Sequence, residues 1–468
     1  MPWSSKVRAA VADLSARAKV SSGQSVILNA LDRAKAYAEA QAFAALDAGL
    51  QSATDRASDV AGPGHQQQAV AIARTGTLLL KPVGDICNLG CPYCYEAERR
   101  VSLETGRMKF SALRAVLDNL LPFVPKPFEI FIHGGEPLLA GMDYFQRIID
   151  HASSLCDPGD LGWGVQTNGV LLDDAWAGFL KENNFMVGLS LDGPPEVHDN
   201  QRPKHNGEGS HTDVVRAIKL LQSHDVAFGV TTVVTPRHAL RDGAAAALFE
   251  HFRSIGVKLF DAHPAFTPSD GKMPWNLSPV AYSDFMLELF DAWVDHGDPS
   301  IKIRSFDEFF KGMTGFSGST CFRSGRCINI IGVDPDGTTS ACTRPFDKKY
   351  NFGNLGTEQF DQIVETDGYR AFVADESAGR ERSGTCQWTG LCGSGGCPHE
   401  RMTDGAQDVA GKHVYCTCHT DGRGGFPALF HGMIDRVSGI IMSNPSASDA
   451  SVPMSEDDIV SESASLPW

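Results

Sequence analysis

From residue 77 onward the apolar positions fall into two alternating rhythms. Short apolar runs of strand length lie at Thr77–Val83, Glu129–Ile132, Trp163–Thr167, Met186–Leu191, Ala227–Val234 and Val257–Asp261. Between and after them, apolar residues recur at helical spacing over Ser111–Leu121, Tyr144–Leu155, Asp174–Asn183, Asp213–Ser223, Leu240–Ser254 and Pro279–Asp295. Strand and helix in strict alternation predict an α/β fold, a parallel sheet covered by helices. Six such units are too few for a closed eight-unit barrel. They fit an open, partial (β/α)6 barrel of the TIM type, whose site would lie at the carboxyl ends of the strands.

Four polar or glycine-rich stretches fall on that one rim. Cys87–Arg99, reading CNLGCPYCYEAER, follows the first strand. HGGEP (His133–Pro137) follows the second, QTNG (Gln166–Gly169) the third and SLDGP (Ser190–Pro194) the fourth. Outside the barrel the pattern changes. Residues 1–70 read as a helical N-terminal extension rich in Ala, Ser and Gln, with AGPGHQQQ as a linker. Residues 71–310 form the barrel, and 311–420 a cysteine- and glycine-rich region with few long elements. Residues 421–468 read as a tail, partly disordered, since Ser, Pro and acidic residues dominate its end.

Composition narrows the function. The formal net charge of −16 leaves no basic excess for phosphates, so no nucleic-acid partner is expected. A basic peptide partner is compatible with it, although acidity also serves solubility. No run of about 18 apolar residues exists, so no membrane span is expected. The first twenty residues lack the apolar core of a secretory signal, which makes the cytoplasm the default location.

In a reducing compartment, grouped cysteines point to metal or redox chemistry. Eleven of the 12 cysteines fall in two groups; Cys156 stands alone and reads as a small apolar residue. The first group, Cys87-x3-Cys91-x2-Cys94, has three thiols, whereas disulfide pairs and four-thiolate zinc sites want an even number. A four-iron cluster with one iron left open fits three. Zinc with three thiolates and a water is the competing reading. The second group holds Cys321, Cys327, Cys342, Cys386, Cys392, Cys397, Cys416 and Cys418, enough for two four-ligand sites.

The cysteine loop after strand 1, with Tyr93 before its third cysteine, GGEP after strand 2 and Ser-x-Asp after strand 4 resembles the radical S-adenosylmethionine superfamily over about residues 77–265. The resemblance implies that Cys87, Cys91 and Cys94 bind a [4Fe–4S] cluster whose open iron is chelated by S-adenosylmethionine, and that reductive cleavage yields a 5′-deoxyadenosyl radical. Expected cofactor contacts follow. Gly134 and Gly135 would let backbone approach the ligand, and Glu136 would accept from the methionine ammonium. Ser190 and Asp192 suit ribose hydroxyls. Gln166 and Asn168 would line the edge of strand 3, and Arg202 would pair with the methionine carboxylate. Each has a plainer reading as a turn or a salt bridge.

The second group resembles the SPASM domain of radical enzymes that modify peptides and proteins. Matched by motif, one auxiliary cluster would take Cys321, Cys327, Cys342 and Cys397. The other would take Cys386, Cys392 and Cys416. The family opens that second set with C-x2-C, whose first position here is Ser383; Cys418 is the preferred fourth ligand, with a non-cysteine or open site as the alternative. The expected partners are a precursor peptide or protein and a reductant such as flavodoxin or ferredoxin. Two branches compete. The opening KPVGDICNLGCPYCY looks like that of anaerobic sulfatase-maturing enzymes, which form formylglycine. In them an Asp proposed as base follows the third ligand of the first auxiliary cluster; here that position is Thr343. The preferred expectation is therefore a maturase that cross-links side chains of a ribosomal precursor peptide. A non-catalytic iron–sulfur electron carrier is the alternative from another class, disfavoured by GGEP and SLDGP.

Overall fold

The computed structural model describes residues 21–36, 76–96, 106–267, 273–315, 327–344, 347–384, 386–392, 396–402, 411, 413–416 and 424–442. A single ten-stranded sheet organises them, in the order β10-β9-β8-β1-β2-β3-β4-β5-β6-β7. Strands β1 (Thr77–Leu80), β2 (Phe128–Ile132), β3 (Leu161–Thr167), β4 (Phe185–Ser190), β5 (Phe228–Val234), β6 (Leu259–Pro264) and β7 (Lys302–Ile303) are parallel in sequence order. This is the α/β partial barrel that the alternation predicts. Parallel strands buried on both faces read as continuous apolar runs, as TLLL of β1 does, with every residue buried.

Local chemistry moves several boundaries from their expected places. Strand β1 stops at Leu80 because residues 82–85 turn, with Gly84 at φ +58°. The sixth strand begins at Leu259, not Val257. The Val257 amide still donates to Phe252 O of the preceding helix, and Gly256 makes the turn at φ +75°. The helix expected over 240–254 begins at Ala244, after a short helix Pro236–Ala239 and Gly243 at φ +68°. Helix Pro195–Gln201 and helix Arg304–Met313 were not anticipated.

Beyond the barrel, β8 (Ile330–Val333) adds in parallel to the free edge of β1, registering Thr77 with Ile330. β9 (Thr338–Ser340) and β10 (Gly353–Asn354) continue it antiparallel. The cysteine-rich region thus shares the barrel's sheet.

Two outer segments join the core. Residues 22–36 form a helix whose Val26, Ile27, Ala30 and Leu31 are buried, and Arg33 reaches Asp307 at 2.7 Å. The stretch from 421, expected as tail, contains helix Gly425–Met442. Its Leu429, Phe430, Met433 and Val437 are buried at helical spacing, and Arg436 clamps Asp291 of helix Pro279–His296 at 2.6 and 2.8 Å. The apolar period decides this helix despite the polar stretch that follows. Residues 443–468 lie outside the described residues, as do 1–20 and 37–75 of the N-terminal extension. Among the described residues, no helix is long and apolar enough to cross a membrane.

Candidate functional site

The loop that follows β1 carries Cys87, Cys91 and Cys94 on the rim at the strands' carboxyl ends. The described cysteines form no disulfide. Electrostatic coupling links Cys91 to Cys94 and Cys87. Burial, offset by Arg202 and reinforced by the other two thiols, pushes the Cys91 thiol up to about 12. Three half-buried thiols that repel one another's charge are stabilised as thiolates by a cation or cationic cluster between them. Leu89 N donates to Cys87 Sγ at 3.4 Å, and Asn168 Nδ2 lies 3.7 Å from the same sulfur. Such donors favour a ligated thiolate. No three His, Cys, Asp or Glu side chains among the described residues converge closely enough for one metal ion. A four-iron cube with one open corner takes three thiolates, the number this loop carries.

Neighbouring loops hold the cysteine loop from both sides. The β2 loop supports it: Gly135 N donates to Gly84 O at 2.7 Å and Glu136 N to Ile86 O at 2.8 Å. A Cβ on Gly135 would sit 2.1 Å from Ile86 O, and one on Gly134 (φ +116°) 2.5 Å from Gly84 O. The two glycines therefore admit the 84–86 backbone, where the sequence reading had them admit a ligand. Across the site, Gly90 N donates to Pro203 O at 2.8 Å and His205 Nε2 lies 3.0 Å from Cys87 O. This clasp from residues 203–205 carries no sequence signal.

Glu136 is fully buried. Its carboxylate accepts from Leu138 N (3.0 Å), Thr167 Oγ1 (2.8 Å) and Asn168 N (2.8 Å). Its first task is to lock the β2 loop to the β3 loop, which leaves little of it for a ligand ammonium. Burial pushes the carboxyl up to about 7 against those three donors. Asn168 in turn donates to Asn88 Oδ1 at 2.7 Å, so this β3-edge residue braces the cysteine loop. Gln166 donates to Ser190 Oγ at 3.0 Å, while its buried Oε1 has no hydrogen-bond partner among the described residues. An orphaned acceptor beside a serine hydroxyl fits a polar ligand at the mouth between β3 and β4.

Asp192 corrects the sequence reading. Its buried carboxylate accepts from Tyr93 Oη, Gln201 Nε2 (2.9 Å), Arg202 Nη2 (3.1 Å) and Val233 N (2.9 Å). Arg202 Nε lies 3.0 Å from the second oxygen. No acceptor capacity remains for ribose hydroxyls. Asp192 instead orients Tyr93 and Arg202, whose guanidinium lies 5.5 Å from the Tyr93 ring centroid. Burial would raise the Asp192 carboxyl, but Arg202 outweighs it and holds the group below its ordinary value. The Arg202 charge also reaches Cys91, so a cation stands beside the trio. His198, which sequence reasoning passed over, accepts from Asp192 N at 3.1 Å and fixes that loop.

Lys81 is a second missed residue. Just past β1 and 2% exposed, it pairs with Glu96 at 2.9 Å and Asp334 at 3.2 Å, tying the cysteine loop to the strand-β8 turn.

The other thiols divide into two places. Cys397 couples to Cys342, and Arg401 to both Cys327 and Cys397, so these three cluster; Cys321 lies outside the described residues. Burial, partly offset by Arg344, pushes the Cys397 thiol up to about 11. Arg401 is 1% exposed, 3.9 Å from Glu376, and none of its guanidinium nitrogens has a hydrogen-bond partner among the described residues. A buried cation so placed fits an anionic cluster on these cysteines. Arg344 pairs with Glu400 at 3.2 Å and lies 5.7 Å from the Tyr95 ring centroid; Tyr95 Oη is 3.4 Å from Thr343 Oγ1. The cysteine loop of the barrel and the 342–344 turn therefore face one another. Asp347 caps Lys349 N instead. Cys386, Cys392 and Cys416 line a separate small pocket, together with Ser383. Cys418 lies outside the described residues.

Comparisons with known proteins agree with this architecture. The model of the radical SAM superfamily matches residues 82–246, and that of SPASM, an iron–sulfur cluster-binding domain, matches 321–393. A cysteine-type anaerobic sulfatase-maturating enzyme of Clostridium perfringens (strain 13 / Type A) is 29% identical over 358 residues, covering 74% of this chain and 94% of that one. A serine-type anaerobic sulfatase-maturating enzyme of Klebsiella aerogenes is 26% identical over 342 residues, covering 72% and 83%. The solved structure of native anSMEcpe with bound AdoMet superposes with a TM-score of 0.69 at 27% identity, covering 79% of this chain and 99% of that one. The same protein with bound AdoMet and Cp18Cys peptide gives 0.68 at 26% identity, covering 79% of this chain and 99% of that one. The chain carries a radical SAM domain followed by a SPASM iron–sulfur domain: it is a radical SAM enzyme, and S-adenosylmethionine and [4Fe–4S] clusters are its cofactors.

Proposed function

We propose that this enzyme oxidatively matures a peptide or protein, removing two hydrogens from its side chains, and that the product is a new bond between side chains. The observation that carries the reading is the facing of two sites. The Cys87, Cys91 and Cys94 loop and the Cys342 turn meet through Tyr95 and Thr343, so a cluster held at the second would be placed to take an electron from a substrate oxidised at the first. When bound, S-adenosylmethionine and the cluster supply hydrogen abstraction from an unactivated C–H bond. The chain's residues do the rest. Asp192 holds Tyr93 and Arg202 in place, and Arg202 offers positive charge toward the trio and a ligand carboxylate. Gln166 and Ser190 offer polar contacts. Arg344 and Arg401 keep cationic charge beside Cys327, Cys342 and Cys397, which would hold an auxiliary cluster and would ease its reduction there.

Thr343 favours bond formation between side chains over formylglycine. It is 3% exposed, contacts Tyr95 and offers no carboxylate where the formylglycine reading expects its base; either oxidation releases one proton, which a cross-linking reaction would have to hand to another group. Formylglycine formation is the second reading, favoured by the relatives at 25–29% identity. Anaerobically reconstituted enzyme with S-adenosylmethionine and dithionite, given either Cp18Cys peptide or peptides encoded beside the gene, tests both. Loss of two hydrogens with a cross-linked fragment in tandem mass spectrometry is expected. A hydrazine-reactive aldehyde would replace that reading with formylglycine. Protein that never yields 5′-deoxyadenosine would end both.

A further inference from the structure

The cavity that holds Cys386, Cys392 and Cys416 presents a fourth heteroatom side chain, Ser383. Apolar side chains make much of the remaining wall, Phe426 and Phe430 of helix Gly425–Met442 among them. His413 also borders it: its Nδ1 accepts from Tyr415 N at 3.2 Å, and its Nε2 is turned to the Glu400 carboxylate, 3.0 Å from Oε2. Ser383 is the last residue of helix Asp367–Ser383. The turn it begins is fixed, because its carbonyl accepts from Cys386 N at 2.9 Å and from Thr389 Oγ1 at 2.6 Å. Ser383 Oγ donates to Gly379 O at 3.0 Å, so the hydroxyl keeps its proton and directs its lone pairs elsewhere.

We infer that the second auxiliary cluster of this chain is bound by the thiolates of Cys386, Cys392 and Cys416 and, at its fourth iron, by the neutral hydroxyl of Ser383 in place of a thiolate. The coordination bond is a lone-pair donation from Oγ to iron. No bond in the protein breaks and no proton leaves, since the O–H remains on Gly379 O. Two consequences follow from the donor's chemistry. A neutral oxygen is a far weaker iron ligand than a thiolate, so the fourth iron is labile. The cluster also carries one negative charge fewer than a four-thiolate one, so its reduction potential is higher, which suits a group that collects an electron from oxidised substrate. The inference concerns metal binding and holds for either reading of the product.

The test uses full-length reconstituted protein in a C87A/C91A/C94A background, which removes the barrel cluster's signal. Ferricyanide oxidation is expected to give a [3Fe–4S] electron paramagnetic resonance signal from the labile corner. S383C is expected to abolish that signal and lower the midpoint potential of one cluster, while C418A changes neither. S383A, which keeps the packing, is expected to lose iron to a chelator faster than its parent. Iron content and circular dichroism report whether each variant is folded. A spectrum altered by C418A and untouched by S383C or S383A would overturn the assignment in favour of Cys418. An unchanged iron-loss rate in S383A would overturn it as well, even if S383C failed to fold.

Discussion

Glu136 shows how one buried carboxylate joins two loops and makes the fold sensitive to pH. Its two oxygens take three donors, and the amide of Asn168 faces Oε2 alone. In Glu136→Gln an amide NH2 would confront either that N–H or the Leu138 and Thr167 donors. The substitution is expected to cost about 1–3 kcal/mol, read as a shifted denaturation midpoint. Burial raises the folded-state carboxyl from 4.5 to about 7, so the native state holds this proton more tightly than the unfolded chain does. Its contribution is fully present below pH 4.5 and is lost as pH rises toward 7. The stability difference between wild type and Glu136→Gln should therefore change across that window and be flat above it. A constant difference from pH 4.5 to 7 would contradict the raised value. Arg401 is the comparable cation. Its charge lies beside Cys327 and Cys397, and Arg401→Gln should lower the reduction potential of that cluster. Redox titration reads this directly, and an unmoved potential would place the cluster away from these cysteines.

At the scale of elements, the site depends on how closely two loops approach. Gly135→Ala puts a methyl 2.1 Å from Ile86 O, a backbone atom that cannot rotate away. The cysteine loop must shift, so the variant should retain less iron at the barrel site while the SPASM region keeps its own; iron analysis with resonance spectroscopy separates the two. The sequence made the cysteines and their rim legible because spacing and strand order carry them. The tasks of Gly134, Gly135 and Asp192 were not legible. Their partners are the backbone at 84–86 and the side chains of Tyr93, Gln201 and Arg202, which only the folded chain brings near. Helix Gly425–Met442 was overlooked for a different reason. Its apolar period is clear, but the polar stretch after it dominates the composition of the region. Phe430 in that helix is fully buried, 5.8 Å from Phe426 and 6.0 Å from Trp388 between ring centroids, and it borders the Ser383 cavity. Phe430→Ala should cost about 3–5 kcal/mol in equilibrium unfolding and speed the loss of iron in air.

At the scale of the whole molecule, the two cysteine sites belong to one structural unit. Strand β8 extends the parallel sheet at β1, pairing all four residues from Thr77↔Ile330 to Leu80↔Val333. Lys81, immediately after β1, sets its buried ammonium between Glu96 of the cysteine loop and Asp334 of the β8 turn. Removing the SPASM region would thus do two harmful things at once. It would expose the unpaired edge of β1, an apolar strand whose four residues are all buried in the intact chain. It would also leave Lys81 with one of its two counter-charges and open it to water. A chain ending at residue 310 is therefore expected to aggregate, or to fold without holding the barrel cluster, when expressed and run on a sizing column beside full-length protein. A monomeric truncated barrel with normal iron content would mean that the β1–β8 seam is dispensable. The facing of Tyr95 and Thr343 would then be a docking of independent parts, and the yield of the proposed oxidation should fall when the two parts are supplied as separate chains.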